Sequence, residues 1–285
     1  MSKNLSAVAS VEFDDLVKHA FQTMGATNGG IVNAVTQRNG VVGDTYKFRA
    51  MGKGLANQKA SQADVTPMDI SHSLITATLS NWNAPEYTDM FDAAEVNFDE
   101  KQELAHTIAG ALHRRQEQII IDAMDAATPG ATVAASIGGA DSNMNIEKVV
   151  EASKELNDAG VPVDQDRHIM TSADGLKAML LETQVGSADY NSVQSLMSGT
   201  LDYWMGFHWH IIESRDEGGL TIDGNDVRNS YAWHKSAVGL ATGIDITTSV
   251  DWVAQKTSWL CNGMMKCGAA IRDTAGLILI NNDET

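Results

Sequence analysis

The spacing of apolar side chains changes several times along the chain, which predicts a mixture of helices and strands. Over Val11–Met24 the apolar residues recur at helical spacing and Gly25 follows them, so a short amphipathic helix is expected there. Residues 29–43 are rich in β-branched side chains and contain the turn-forming pair Asn39-Gly40, which favours an extended, hairpin-like connection.

Two strand-like segments flank a long polar tip. Residues 44–51 and residues 71–80 both alternate between apolar and polar side chains, as half-buried strands do. The segment between them, Gly52–Asp64, contains glycine, is polar and has no apolar period. Together they predict a two-stranded β-arm over residues 44–80. Because an isolated two-stranded ribbon is marginal in water, the arm is expected to lie on something else, and another subunit is the candidate.

The longest helix is predicted over Glu100–Ala126, with Asp99 as its N-cap and an end before Pro129. At about 1.5 Å per residue it spans roughly 40 Å, which is long enough to be the backbone of a lobe. Its apolar stripe consists of Leu104, Ile108, Leu112, Ile119, Ala123 and Ala126.

The middle third alternates helices and strands and is expected to form an α/β lobe. Its predicted elements are a helix over 146–156 that Gly160 ends, a strand over 167–171, a helix capped by Ser172, and strands over 203–212 and 231–241.

The last forty or so residues change character again. Residues 244–260 and 261–271 alternate loosely, with a turn signal at Asn262-Gly263, and residues 275–280 form an apolar strand. These strands have no helices of their own to cover them. We therefore expect them to return and pack against the long helix, which completes an α+β fold.

Composition and charge narrow the class of protein. The chain has 285 residues with 20 Lys and Arg against 37 Asp and Glu, a formal charge of −17, which argues against a surface that grips nucleic acid through its phosphates. There is no signal peptide and no run of apolar residues long enough to span a membrane, so a soluble protein made in the cytoplasm is predicted. Two cysteines are too few for a disulfide framework and are expected to be core thiols.

The charge is distributed unevenly. Between Thr45 and Ala63 there are no acidic residues, and we call the four cations of this segment the basic arm: Lys47, Arg49, Lys53 and Lys59. An acidic stretch follows, opposed only by Lys101: Glu86, Asp89, Asp92, Glu95, Asp99, Glu100 and Glu103. Both are compatible with solvated faces. The alternative is that the basic arm of one subunit docks on the acidic stretch of its neighbour, where opposite potentials set register and orientation.

Candidate chemistry is sparse. His208 and His210 place two imidazoles on one face of a strand, a spacing that some metal sites use, and a metal-dependent hydrolase is therefore one hypothesis. The sequence fixes no third ligand, and aromatic and apolar neighbours favour buried core histidines instead. Because nucleotide-binding, zinc-protease and esterase motifs are absent from the sequence, we predict no catalytic, cofactor or metal site.

The order of the elements resembles a known family. The resemblance rests on Phe13–Phe21, Tyr46–Gly54, Phe98–Lys101, Asp166–Ser172, Gly199–Leu201, Met205–Phe207 and Ala232–Ala241. Taken together, they are similar to the major capsid protein of tailed bacteriophages, with the Hong Kong 97-type shell fold, and especially to the short capsid proteins of small podophages. The resemblance spans nearly the whole chain.

This resemblance implies an architecture and a structural role. Its segments would be an N-terminal arm (1–43), an extended β-loop (44–81), a peripheral lobe with a spine helix (82–144), an axial lobe (145–244) and returning strands of the peripheral lobe (245–285). Subunits would form pentamers and hexamers of an icosahedral virion shell around double-stranded DNA, without sequence-specific binding.

The resemblance also implies partners. A separate scaffolding protein and a portal are expected, and a decoration protein is possible. Some relatives join subunits by Lys–Asn bonds, and Lys53 and Lys59 lie in the right loop, but no acceptor is identified and cross-linking is not predicted. The same fold also serves cellular nanocompartment shells of the encapsulin type, which stay open as an alternative.

Overall fold

The computed structural model describes residues 26–27, 29–91, 100–182 and 202–284. The predicted helix Val11–Met24 lies outside these residues, as do the acidic residues Asp92, Glu95 and Asp99. In the described part of the chain, no helix is long and apolar enough to cross a membrane.

The described residues form twelve strands and three α-helices. The strands are β1 (Thr36–Asn39), β2 (Thr45–Met51), β3 (His72–Thr78), β4 (Ser80–Asp89), β5 (Ala131–Val133), β6 (Arg167–Ser172), β7 (Tyr203–Trp204), β8 (Phe207–Ile212), β9 (Val227–His234), β10 (Val238–Val253), β11 (Ser258–Ile271) and β12 (Leu277–Asp283). The helices are α1 (Glu100–Asp125), α2 (Ile146–Asp158) and α3 (Ala173–Leu181). An α+β fold is confirmed.

A four-stranded sheet in the order β1-β10-β11-β4 packs against α1. Its centre is the long antiparallel hairpin of β10 and β11, which turns between Val253 and Ser258. The turn predicted at Asn262-Gly263 is wrong, because both residues lie inside β11. A Cβ on Gly263 would lie 2.3 Å from Cγ2 of Ile108, so this glycine allows the helix to approach the sheet closely.

Helix α1 ends one residue before its predicted end, and the first half of its predicted apolar face is right. Ile108 and Leu112 are buried against the sheet. Further along, the buried apolar side chains are Ile120, Ile121 and Met124, and the predicted Ala126 is exposed. Three buried polar residues, Gln116, Glu117 and Gln118, lie where the buried face of the helix changes.

A six-stranded sheet in the order β5-β12-β9-β6-β8-β7 forms the second layer. Its core contains Phe207, Trp209 and Ile169, with α2 side chains such as Leu156 packed against them. Both short helices are capped: Ser172, as predicted, accepts from Gly175 N, and Asn145, which was not predicted as a cap, accepts from Lys148 N at 2.9 Å. These caps fix where the helices begin.

Two predictions about strand connections need correction. The run 231–241 is not one strand, because a 3-10 turn at Lys235–Ala237 divides it into β9 of one sheet and β10 of the other. The returning segment 245–285 also divides. Strand β11 packs on the long helix as predicted, but β12 pairs with β9 and β5 in the six-stranded sheet. The division of the chain into five segments otherwise stays a prediction.

The predicted two-stranded arm is present. Strands β2 and β3 pair antiparallel, with Thr45 opposite Thr78 and Met51 opposite His72. The arm is attached at its base, where Phe48, Ala77 and Leu79 pack with Ala241 of β10. The connection before it differs from the prediction: a 3-10 turn at Ile31–Ala34 leads into β1, which runs parallel to β10.

Candidate functional site

The outer face of the arm carries two of the predicted cations. Along β2, Lys47 and Arg49 are exposed while Phe48 between them is buried, as strand alternation requires. Leu74 lies opposite Arg49 on β3 and is 59% exposed. The exposed face of the arm therefore combines positive charge with apolar area.

The tip of the arm holds the other two cations. Residues 51–69 are exposed throughout, and Leu55 and Val65 are 82% and 76% exposed. Lys53 donates to the carbonyl of Ala159, 2.8 Å away, just beyond the C-terminal end of α2. The side chains of Lys47, Arg49 and Lys59 make no hydrogen bond or ion pair with the described residues. Three of the four predicted cations thus remain available to another molecule.

The described members of the acidic stretch lie at the far end of β4 and at the start of α1. Glu86 is exposed in β4 opposite Cys261. Asp89 is half-buried and accepts from the backbone N–H of Phe91 at 2.8 Å. Glu100 is the first residue of α1, and Glu103 is half-buried one turn later. The side chains of Glu86, Asp89 and Glu103 therefore lie on two elements, β4 and α1, that both contact β11.

The two histidines of the hydrolase hypothesis join a third that sequence reasoning missed. His168 on β6 pairs with His208 on β8, and its Nδ1 lies 3.1 Å from Nε2 of His210. Trp233 stacks on both His168 and His210. Burial, followed by the neighbouring His210 and His208, lowers the pKa of His168 to about 3. His168 and His210 are therefore core imidazoles in an aromatic setting, as the sequence favoured, whereas His208 is half-buried.

No catalytic metal cluster forms around His208 and His210 in the described residues. The described residues instead bring three candidate ligands together elsewhere, at Asp164, Asp166 and His234. There, His234 Nε2 lies 3.1 Å from Asp164 Oδ1, and Nδ1 lies 2.7 Å from the hydroxyl oxygen of Ser236. Two of its members are exposed acids, and the group is a histidine–carboxylate hydrogen bond at the end of a strand.

A buried ion pair on α1 was not predicted. Glu117 is 2% exposed and lies 3.1 Å from Arg215 Nη1, whose side chain is also buried. Arg215 also pairs with Glu213 at 2.7 Å. In the sequence, Glu117 resembles any solvated residue of a polar helix, so no local signal distinguishes it. Glu117 lines an open cavity of about 650 Å3 between α1 and the segment that precedes β1.

Known proteins share this architecture. Residues 5–284 match the family model of phage capsid protein. No curated protein matches the chain. Among solved structures, the head of Helicobacter pylori bacteriophage KHP40 aligns with a TM-score of 0.78 at 10% identity, covering 99% of each chain.

Two other phage structures give the same result. The capsid of Cyanophage P-SCSP1u aligns with a TM-score of 0.75 at 14% identity, over 98% of this chain and 94% of that one. A chain of Mycobacterium phage Che8 aligns with a TM-score of 0.68 at 16% identity, over 95% and 96%. These findings support neither a nanocompartment shell nor a hydrolase. With a family match over nearly its whole length, the chain belongs to the phage capsid protein family and is a major capsid protein, a structural subunit of a virion shell.

Proposed function

We propose that the subunits close into pentamers and hexamers in which the basic arm of one subunit lies on the acidic stretch of its neighbour. The observation that carries the proposal is the arm itself. Among the described residues its apolar side chains pack on the subunit only at its base, and Lys53 adds one hydrogen bond from the tip to the carbonyl of Ala159. The rest of the arm presents exposed cations and exposed apolar side chains together. A two-stranded ribbon of this kind is marginal unless a partner covers it, and the described body of the same subunit leaves its tip exposed.

Charge sets the orientation of this contact more than its strength. An exposed ion pair contributes about 0.2–1 kcal/mol, so one pair cannot hold a shell together. Around a ring, however, each subunit repeats the contact, and the exposed apolar side chains of the arm add buried area. Opposite potentials select the register in which the arm docks and also speed the encounter of subunits.

The test is a charge swap. The variant that reverses the basic arm (K47E, R49E, K53E and K59E) is expected to lose assembly at moderate salt, as seen by negative-stain microscopy and sedimentation. A second variant also reverses four acids (E86K, D92K, E95K and E103K), which returns the net charge to its original value and makes the surfaces complementary again. Recovery of shells in the second variant supports the contact. Unchanged assembly of the first variant, with the same salt dependence as wild type, would falsify it.

We also propose that the shell encloses double-stranded DNA without sequence-specific binding. The support is the net charge of −17, because a wall of the same sign as the genome can hold it without adhering to it. Purified subunits are then expected to show no retention on a DNA column at physiological salt. Strong, salt-sensitive retention of the intact subunit would contradict this part of the proposal.

Further partners follow from the same proposal. The subunit is proposed to be synthesised in the host cytoplasm and to assemble with a separate scaffolding protein and a portal. A decoration protein is an optional further partner. Negative-stain imaging tests whether a separate scaffold is needed, when the subunit is expressed alone and together with head genes of its phage. Closed shells of uniform size only in the co-expressed sample support a separate scaffold, and uniform shells from the subunit alone oppose it.

A further inference from the structure

The outer part of β10 is a strand edge that no other described strand covers. Strand β1 pairs with Gly239–Thr242, and after two register shifts β10 pairs regularly with β11 alone, from Thr247 to Val253. We call residues 247–253 the open edge. On it, Val250 and Trp252 are 43% and 42% exposed. Because a row of unpaired backbone N–H and C=O groups is a template for another strand, the open edge marks a site for strand pairing.

The other edges of the two larger sheets are short or blunted. Strands β1, β5 and β7 have four, three and two residues. Strand β4 is longer, but it contains Pro85, and proline on an edge discourages pairing. The open edge of β10 has neither lysine nor proline, and most of its residues are β-branched. Its sequence therefore favours the addition of a strand.

Pro85 also fixes which residues of β10 point outward. A proline has no N–H to give to the ladder, so its backbone groups face away from β11. Its partner Asn262 therefore directs its own backbone groups to the other side, toward Ser249 of β10. Backbone groups alternate in direction along a strand. Those that point to the open edge therefore belong to Thr248, Val250 and Trp252.

Strand β3 of the arm has a free edge of the same kind. Its pairing with β2 is flanked by two hydrogen bonds, from the N–H of Leu79 to the carbonyl of Asp44 at 2.8 Å and from the N–H of Gly52 to the carbonyl of Ser71 at 2.9 Å. Both bonds indicate that the odd-numbered residues of β3 direct their backbone groups toward β2. The residues of β3 that point away from β2 are therefore His72, Leu74, Thr76 and Thr78.

We propose that the open edge of β10 accepts β3 of a second copy of this chain as an added antiparallel strand. The inference rests on the proposed function, in which the arm reaches a neighbour, and it names the backbone contact that holds the arm there. In the register that matches outward residues with outward residues, three pairs each exchange two hydrogen bonds. These pairs are Leu74 with Val250, Thr76 with Thr248 and His72 with Trp252.

Charge and direction agree with this pairing. The open edge carries Asp251 and no cation, whereas Lys47 and Arg49 lie on the strand beside β3. In the antiparallel direction His72 lies at the hairpin end of β10, so the tip of the arm continues past that end. Asp89 of the acidic stretch lies at the same end of the sheet. One arm can thus pair with β10 and bring its tip to the acidic stretch.

The test is a disulfide between subunits in assembled shells. In this register Ser73 and Asp251, which are both exposed, form a non-hydrogen-bonded pair with Cα atoms about 4.5 Å apart, a distance that a disulfide bridges. With oxidised glutathione as the oxidant, S73C/D251C is expected to give a ladder of covalent multimers on a non-reducing gel. The matched control S73C/S249C joins diagonal neighbours about 7–8 Å apart and is expected to lose the ladder.

A second variant tests the backbone directly. The N–H of Val250 points to the open edge, so V250P leaves the pairing with β11 intact and removes a donor at the centre of the proposed contact. V250P is expected to keep a urea midpoint near that of wild type and to lose shell assembly. The matched control is N83P on the edge of β4, because Asn83 points outward as Pro85 does, and it is expected to keep assembly.

The proposal is overturned if shells of S73C/D251C give no ladder, if S73C/S249C links equally well, or if folded V250P assembles like wild type. The disulfide decides alone if V250P does not fold, and V250P decides alone if the cysteine pair does not assemble. The charge contact fails separately. A ladder together with unchanged assembly of the charge-reversed arm refutes only the contact with the acidic stretch, whereas rescue by the charge swap without a ladder refutes only the strand pairing.

Discussion

The close approach of α1 to β11 gives a sharp prediction about a single methyl group. Gly263 faces the helix, and a Cβ at this position would lie 2.3 Å from Cγ2 of Ile108 and 2.8 Å from Cδ1 of Leu112. Ordinary carbon contacts begin near 3.5 Å. G263A therefore requires the helix to move outward by about 1 Å or its side chains to leave their preferred rotamers. Overpacking of this kind costs about 1–3 kcal/mol.

The assay is urea unfolding of the free subunit. We expect G263A to lower the free energy of unfolding by about 2 kcal/mol without changing the slope of the transition. The control is G224A, because Gly224 has no atom within 4 Å of the added Cβ and its φ is not in the left-handed region. That control is expected to change stability by less than about 0.5 kcal/mol.

A double-mutant cycle tests the cause. I108A removes the methyl group that the new Cβ would meet, at a cost of about 2–4 kcal/mol by itself. If the clash with Ile108 causes the destabilisation, G263A lowers the free energy of unfolding of I108A only slightly, and the coupling energy between the two substitutions reaches at least about 1 kcal/mol. Additive effects, or a G263A variant as stable as wild type, would refute the argument that this glycine sets the distance between helix and sheet.

Two further predictions concern buried titratable groups. Burial lowers the pKa of His168 to about 3 in the folded protein, whereas in the unfolded chain this histidine takes up a proton near pH 6.5. The free energy of unfolding is therefore greatest above pH 6.5 and falls as the pH drops toward 3, by at most about 1.4 kcal/mol per pH unit for this group. Urea midpoints between pH 7.5 and 4 should show this dependence, and H168Q should weaken it. Lys148 is fully buried and donates to the carbonyls of Ser142 and Asn281. K148M removes the buried donor that both carbonyls share, although the carbonyl of Ser142 keeps the backbone N–H of Asp283. The substitution should cost about 1–3 kcal/mol in the same assay, whereas K154M at an exposed position should cost less than about 0.5 kcal/mol. Equal effects of the two substitutions would oppose this account.

The sequence predicted those helices and strands whose boundaries depend on neighbouring residues in the chain. The long helix begins at Glu100 as its acidic first turn indicated, and it ends before Pro129. The arm was visible as two alternating segments around a polar tip. The turn at Asn262-Gly263 failed for a physical reason, since glycine serves close packing as well as turns and only the position of α1 distinguishes the two.

The side-chain clusters were harder to predict because they join distant parts of the chain. His208 and His210 were noticed, but His168 meets them only through the parallel pairing of β6 with β8. Glu117 meets the N–H of Ala26 across 91 positions. A carboxylate that pairs with a backbone amide leaves no trace in composition or periodicity, so such a contact becomes visible only in three dimensions.

The place of β12 has a consequence for when the protein can fold. This strand comes after all other described strands in the chain, yet it lies inside the six-stranded sheet, between β5 and β9. Ile278 pairs with Ala131 on one side and with Ala232 on the other. During synthesis the earlier strands emerge first and wait with an open edge until β12 arrives. The sheet therefore closes late, which delays the native subunit, and with it shell growth, until β12 has been synthesised.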